Sequence, residues 1–63
     1  MTPLDETMSL LKRAGVPIQP ATVRSVAYWI ERHQFTPRMV LVDVFRIPEP
    51  MVDTLIHTKR EAS

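Results

Sequence analysis

The sequence predicts an all-α fold, a small single domain of four helices, and three observations carry that expectation. Thr2-Pro3 and Thr36-Pro37 each place a hydroxyl N-cap before a proline in the first helical turn, where the missing N–H is not needed. Apolar residues recur at the helical period, as in Val23, Val26, Ala27 and Ile30. Gly15 and the remaining prolines fall between these periodic stretches rather than inside them, so they punctuate helices instead of breaking them.

The first helix is expected over about 3–14. Asp5 and Glu6 put negative charge at its start, Lys12 and Arg13 put positive charge at its end, and both complement the helix dipole. Gly15 supplies the left-handed residue that stops it. Its apolar stripe is Leu4, Met8 and Leu11, which leaves Leu10 pointing away. Val16-Pro17-Ile18-Gln19-Pro20 is a connector, because the residue before each proline is pushed toward extended geometry. The second helix follows over about 20–33, with Trp29 flanking its stripe and Tyr28 on the far side.

The segment Met39–Ile47 admits two readings. Val40, Val42 and Val44 alternate with Leu41, Asp43 and Phe45 as a strand would. Against a strand stand the Thr36-Pro37 helix start and the lack of any second strand to pair with, so a strand here needs another copy of the chain. The helix reading is preferred. It spans about 37–46, with Leu41, Val44 and Phe45 inward and Val40 and Val42 beside them, and it should be the most buried helix. Ile47-Pro48-Glu49-Pro50 breaks the chain again, and a fourth helix is expected over about 49–59 with Val52, Leu55 and Ile56 buried.

Composition narrows the functional classes. A chain of 63 residues buries only about 60% of its unfolded surface, so it is marginally stable alone. It has no cysteine, and two histidines cannot build a structural zinc site, so no metal is expected. Stability must then come from close helix packing, a partner or dimerisation. No apolar run approaches the roughly 20 residues of a membrane-spanning helix, and no apolar stretch follows a basic start. The expectation is a cytoplasmic protein with no membrane partner. An enzyme is not expected either. There is no cysteine nucleophile, no glycine-rich phosphate loop and no metal-ligand spacing, and His33 and His57 lie on different helices. No cofactor is expected.

One pattern carries a mechanism. With Arg46 as the turn between the third and fourth helices, the positions four before it and one, six, nine and ten after it are Val42, Ile47, Val52, Leu55 and Ile56. All are apolar, as two helices crossing steeply at a short turn require. Leu41 and Phe45 also fall where the first of the two helices meets the core. Over Arg38 to Lys59 the chain resembles the helix-turn-helix unit of phage-repressor-like and Cro-like DNA-binding proteins. That family usually has a small residue at the place of Val42 and glycine at the place of Arg46. The resemblance therefore implies a left-handed backbone at Arg46.

The resemblance further implies a small transcriptional regulator that binds double-stranded DNA as a dimer, with the fourth helix in the major groove. The residues it nominates are Arg38, Arg46, Glu49, Met51, Thr54, His57, Lys59 and Arg60. Arg38 and Arg46 would hold phosphate. Glu49 would accept from cytosine N4, and Thr54 would touch a base edge or a phosphate. Two features pull the other way: the net charge is only +1, and Glu49 and Asp53 are acids on the same early turns. The alternative is a helical protein-binding module, an adaptor or an inhibitor of another regulator, that uses Leu10, Tyr28 and Trp29 as leftover apolar surface, with Met51 beside them. The charge of the fourth helix's outer face discriminates the two.

Overall fold

The structure, a computed structural model, describes residues 2–62, with side chains described through residue 57. Helix α1 spans Pro3–Arg13 and α2 spans Pro20–Ala27, which runs on into a π-helical turn at Tyr28–Arg32. Helix α3, Pro37–Met39, runs likewise into a π-helical turn at Val40–Val44, and α4 covers Glu49–Ala62. Among the described residues there is no strand. The strand alternative for Met39–Ile47 is therefore set aside. Its alternating valines lie on a widened helical turn, in which Val40 and Leu41, adjacent in sequence, are both fully buried.

The starts of α1 and α3 follow from their hydroxyl caps. Thr2 Oγ1 accepts the Asp5 N–H at 3.1 Å, and Thr36 Oγ1 accepts the Met39 N–H at 3.2 Å. At the start of α2 the Thr22 hydroxyl takes the cap role from inside the helix. It accepts the Gln19 N–H at 3.4 Å and donates to the Pro17 carbonyl at 3.1 Å.

The helix ends share one device. Gly15 has φ +89°, Gln34 has φ +57° and Arg46 has φ +60°. Each of these left-handed residues is followed by an apolar one, Val16, Phe35 or Ile47, that packs on the core. The amide of that apolar residue turns back to close the helix. Val16 donates to the Leu11 carbonyl at 3.0 Å and Gly15 to Lys12 at 3.1 Å, which is the Schellman arrangement. Phe35 donates to Trp29 at 3.1 Å and Ile47 to Leu41 at 3.0 Å, one residue wider because the last turn is π-helical. A proline then follows within two residues in every case. The left-handed Arg46 agrees with the turn expected there. Gln34 in the same conformation was not expected.

The core is Leu10, Leu11, Val26, Val40, Leu41 and Val52, with the half-buried Trp29, Phe35, Val42, Phe45, Ile47, Leu55 and Ile56 among those packed on it. Its hub is α1, which touches α2, α3, the Val40–Val44 turn and α4. The third helix is the most enclosed, as expected, with Val40 and Leu41 fully buried and Pro37, Arg38, Val42, Val44 and Phe45 half-buried, but the placement of Leu10 is corrected. Leu10 is 1% exposed, not on an outer face. A helix packed by neighbours on more than one side buries a wider arc than a single stripe, so adjacent Leu10 and Leu11 both point inward. Thr7 is fully buried too, and its hydroxyl is satisfied by donating to the Pro3 carbonyl at 2.7 Å. Val23, expected on the buried stripe of the second helix, is 37% exposed at its margin.

Candidate nucleic-acid interface

The turn Phe45–Pro48 sets the geometry of the site. Left-handed Arg46 reverses the chain, Ile47 anchors it to the core, and Pro48 leads into α4, where the Met51 and Val52 amides donate to the Pro48 carbonyl at 3.0 and 3.1 Å. Val52 is fully buried, and Leu55 and Ile56 are half-buried against the core. These three fix the rotation of α4. Glu49, Met51, Asp53, Thr54 and His57 are left exposed.

Arg38, on the first turn of α3, reaches across to this face. One guanidinium nitrogen donates to Asp53 Oδ1 at 2.5 Å and the other to Glu49 Oε1 at 2.9 Å. The two carboxylates stand one helical turn apart on α4, at i and i+4, and so share a side of the helix. Asp53 first, and Glu49 second, hold the Arg38 guanidinium above its ordinary pKa. The side chains remain open to water, at 40% exposure for Arg38, 66% for Glu49 and 52% for Asp53. Arg38 and Glu49 also line a cavity of about 220 Å³ with Met39, Val42 and Asp43. On the early half of this face two acids of α4 therefore bracket one arginine, with Asp43 across the cavity.

The other nominated residues divide. Arg46 and His57 are exposed, and Met51 is 44% exposed. The Thr54 hydroxyl donates to the Pro50 carbonyl at 3.0 Å, so its proton is engaged within its own helix. It presents lone pairs outward, and a phosphate would have to take that proton from Pro50. The side chains of Lys59 and Arg60 lie outside the described residues.

Tyr28 and Trp29 belong to a different surface. Tyr28 is 49% exposed, and its hydroxyl lies 3.1 Å from His33 Nε2. Trp29 is half-buried rather than free. The Tyr28 ring meets it edge-on at 5.4 Å, and His33 and Phe35 lie over it at 4.8 and 5.0 Å, tilted by about 35°. The turn at left-handed Gln34 brings His33 and Phe35 back onto Trp29. Neither this cluster nor the role of Asp53 was read from the sequence. The i, i+4 spacing of Glu49 and Asp53 could have exposed the second. Among the described residues, no three of His, Cys, Asp and Glu come together to hold a metal ion, and no helix is long and apolar enough to cross a membrane.

No protein-family model, curated protein or solved structure matches the chain.

Proposed function

We propose that the chain is a small helix-turn-helix DNA-binding regulator acting as a dimer, with the exposed side of α4 and the Arg46 turn as the DNA-facing surface. The observation that carries the reading is the turn itself. Arg46 holds the left-handed conformation normally left to glycine, and Val42, Ile47, Val52, Leu55 and Ile56 all pack on the core around it. The same left-handed stop closes the two helices before it, so the weight of the reading rests on the apolar residues at these spacings around Arg46. Arg46 would supply phosphate contact, and Met51, Thr54 and His57 would face the groove. The guanidinium of Arg38 has five donors and spends two on carboxylates, which leaves donors for phosphate.

One observation favours the second reading, a module that binds another protein. Glu49 and Asp53 neutralise Arg38, and with Asp43 they make the early half of the face acidic, which repels phosphate. Exposed Ile18, Val23, Tyr28, Met39 and Met51 would then provide apolar contacts.

The test is a fluorescence-anisotropy titration of a mixed-sequence duplex at two salt concentrations, with sedimentation of the free protein at tens of micromolar. The DNA reading expects affinity to fall steeply with salt, by about 0.9 in log–log slope for each phosphate neutralised, and a sedimenting mass above that of the monomer. Arg46→Ala should lower the slope by about one contact for every sequence tried. Absence of binding at low salt would hand the surface to a protein partner, and a clean monomer would remove the paired half-site arrangement.

A further inference from the structure

We infer that Glu49 and Asp53 form a charge clamp that withholds Arg38 from phosphate and so suppresses non-specific DNA binding, an inference that rests on the DNA-binding reading above. Arg38 is the cation that α3 places beside the exposed face of α4, and each of its terminal nitrogens donates to a carboxylate of that helix. Asp43 lines the cavity that Arg38 and Glu49 share, and makes no ion pair with Arg38. The groups facing Arg38 are thus Asp53 and Glu49 from α4 and Asp43 from the turn that follows α3.

A clamp exposed to this extent is weak enough to open, because water screens both pairs. It is also geometrically strong, since a planar guanidinium fork holds two carboxylate oxygens at once. A phosphate arriving at Arg38 finds only the three N–H groups left over, and it must use them beside the charge of both carboxylates. Arg38 therefore adds little to the general attraction for a DNA backbone while the clamp is closed. It contributes only where other contacts have already brought a phosphate alongside. A protein of net charge +1 that keeps one arginine so held would bind arbitrary duplex poorly, as a regulator must when non-specific sites are in vast excess.

The experiment separates the clamp from simple removal of negative charge. Mixed-sequence duplex is titrated at 50 and 200 mM salt against the parent, Asp53→Asn, Glu49→Gln, Asp43→Asn, Arg38→Ala and the double variant Arg38→Ala/Asp53→Asn, with the helical circular dichroism of each checked first. Asp43→Asn removes the same charge nearby without touching Arg38. The clamp expects Asp53→Asn and Glu49→Gln to bind several-fold tighter than Asp43→Asn, with the salt slope steeper than the parent's by about 0.9, one added phosphate contact. In the Arg38→Ala background the gain from Asp53→Asn should shrink to that of Asp43→Asn, which is the coupling a double-mutant cycle reads. A gain from Asp53→Asn equal to that from Asp43→Asn, or one that persists without Arg38, overturns the clamp while leaving DNA binding intact. Failure of the parent and every variant to bind overturns the DNA reading and the clamp together. Binding by Asp53→Asn alone, where the parent shows none, reports a surface created by the substitution and overturns the DNA reading of the parent.

Discussion

Leu10 is where the periodicity of the sequence and the packing of the chain disagree most sharply, and truncating it decides between them. The stripe Leu4, Met8 and Leu11 leaves Leu10 facing water, whereas in the fold it is 1% exposed at the hub helix. A surface leucine truncated to alanine changes stability by no more than about 0.5 kcal/mol. A fully buried one loses its transfer energy and leaves a cavity, at a cost of about 2–5 kcal/mol. At roughly 0.05–0.15 kcal/mol per residue, a chain of 63 residues has about 3–9 kcal/mol in all. Leu10→Ala should therefore remove a large share of the stability or unfold the protein outright. In urea, with an m-value of about 1 kcal/mol/M for so small a domain, the midpoint should fall by about 2 M or more. Met51→Ala, truncating an apolar residue that is 44% exposed, should move the midpoint by about 0.5 M or less and serves as the control. A Leu10→Ala variant that melts like Met51→Ala would refute the packing of α1 as the hub.

Two further substitutions test the helix ends. Arg46→Gly relieves a left-handed non-glycine residue and should stabilise the fold by up to about 1 kcal/mol in denaturant titration, while weakening DNA binding through the lost cation. Loss of stability would show that the Arg46 side chain holds the turn. Thr36→Ala removes the hydroxyl that accepts the Met39 amide and should cost about 1 kcal/mol, whereas Thr54→Ala, whose hydroxyl only bonds back to Pro50, should stay within about 0.5 kcal/mol. Equal melting of the two threonine variants would contradict the cap.

The helix starts were legible because they depend on local chemistry. Thr2-Pro3 and Thr36-Pro37 state a cap and a first turn in adjacent residues, and Gly15 states a stop. Arg46 was legible only through the spacing of apolar residues around it, since nothing about an isolated arginine requests a left-handed backbone. Gln34 had no such frame, although Gly15-Val16, Gln34-Phe35 and Arg46-Ile47 each lead into a proline within two residues. The π-helical turns were hidden because a six-residue closure depends on where Phe35 and Ile47 find the core, which is a tertiary fact. Burial in α1 was misread for a related reason. A stripe assumes one neighbour, and α1 has several. At the candidate site, Arg38, Glu49 and Asp53 could each be placed on an outer face, but which oxygen the guanidinium would choose depended on the crossing of α3 and α4.

The central claim, that the exposed side of α4 and its preceding turn meet DNA, is tested most directly by amide chemical-shift mapping of the full chain during titration with a mixed-sequence duplex at low salt. The account expects the largest perturbations at Arg46, Met51, Thr54 and His57, with Arg38 following as its clamp opens, and little change at the Tyr28–Phe35 aromatic cluster. Perturbations confined to Tyr28, Trp29 and His33, or none at all at saturating duplex, would contradict it.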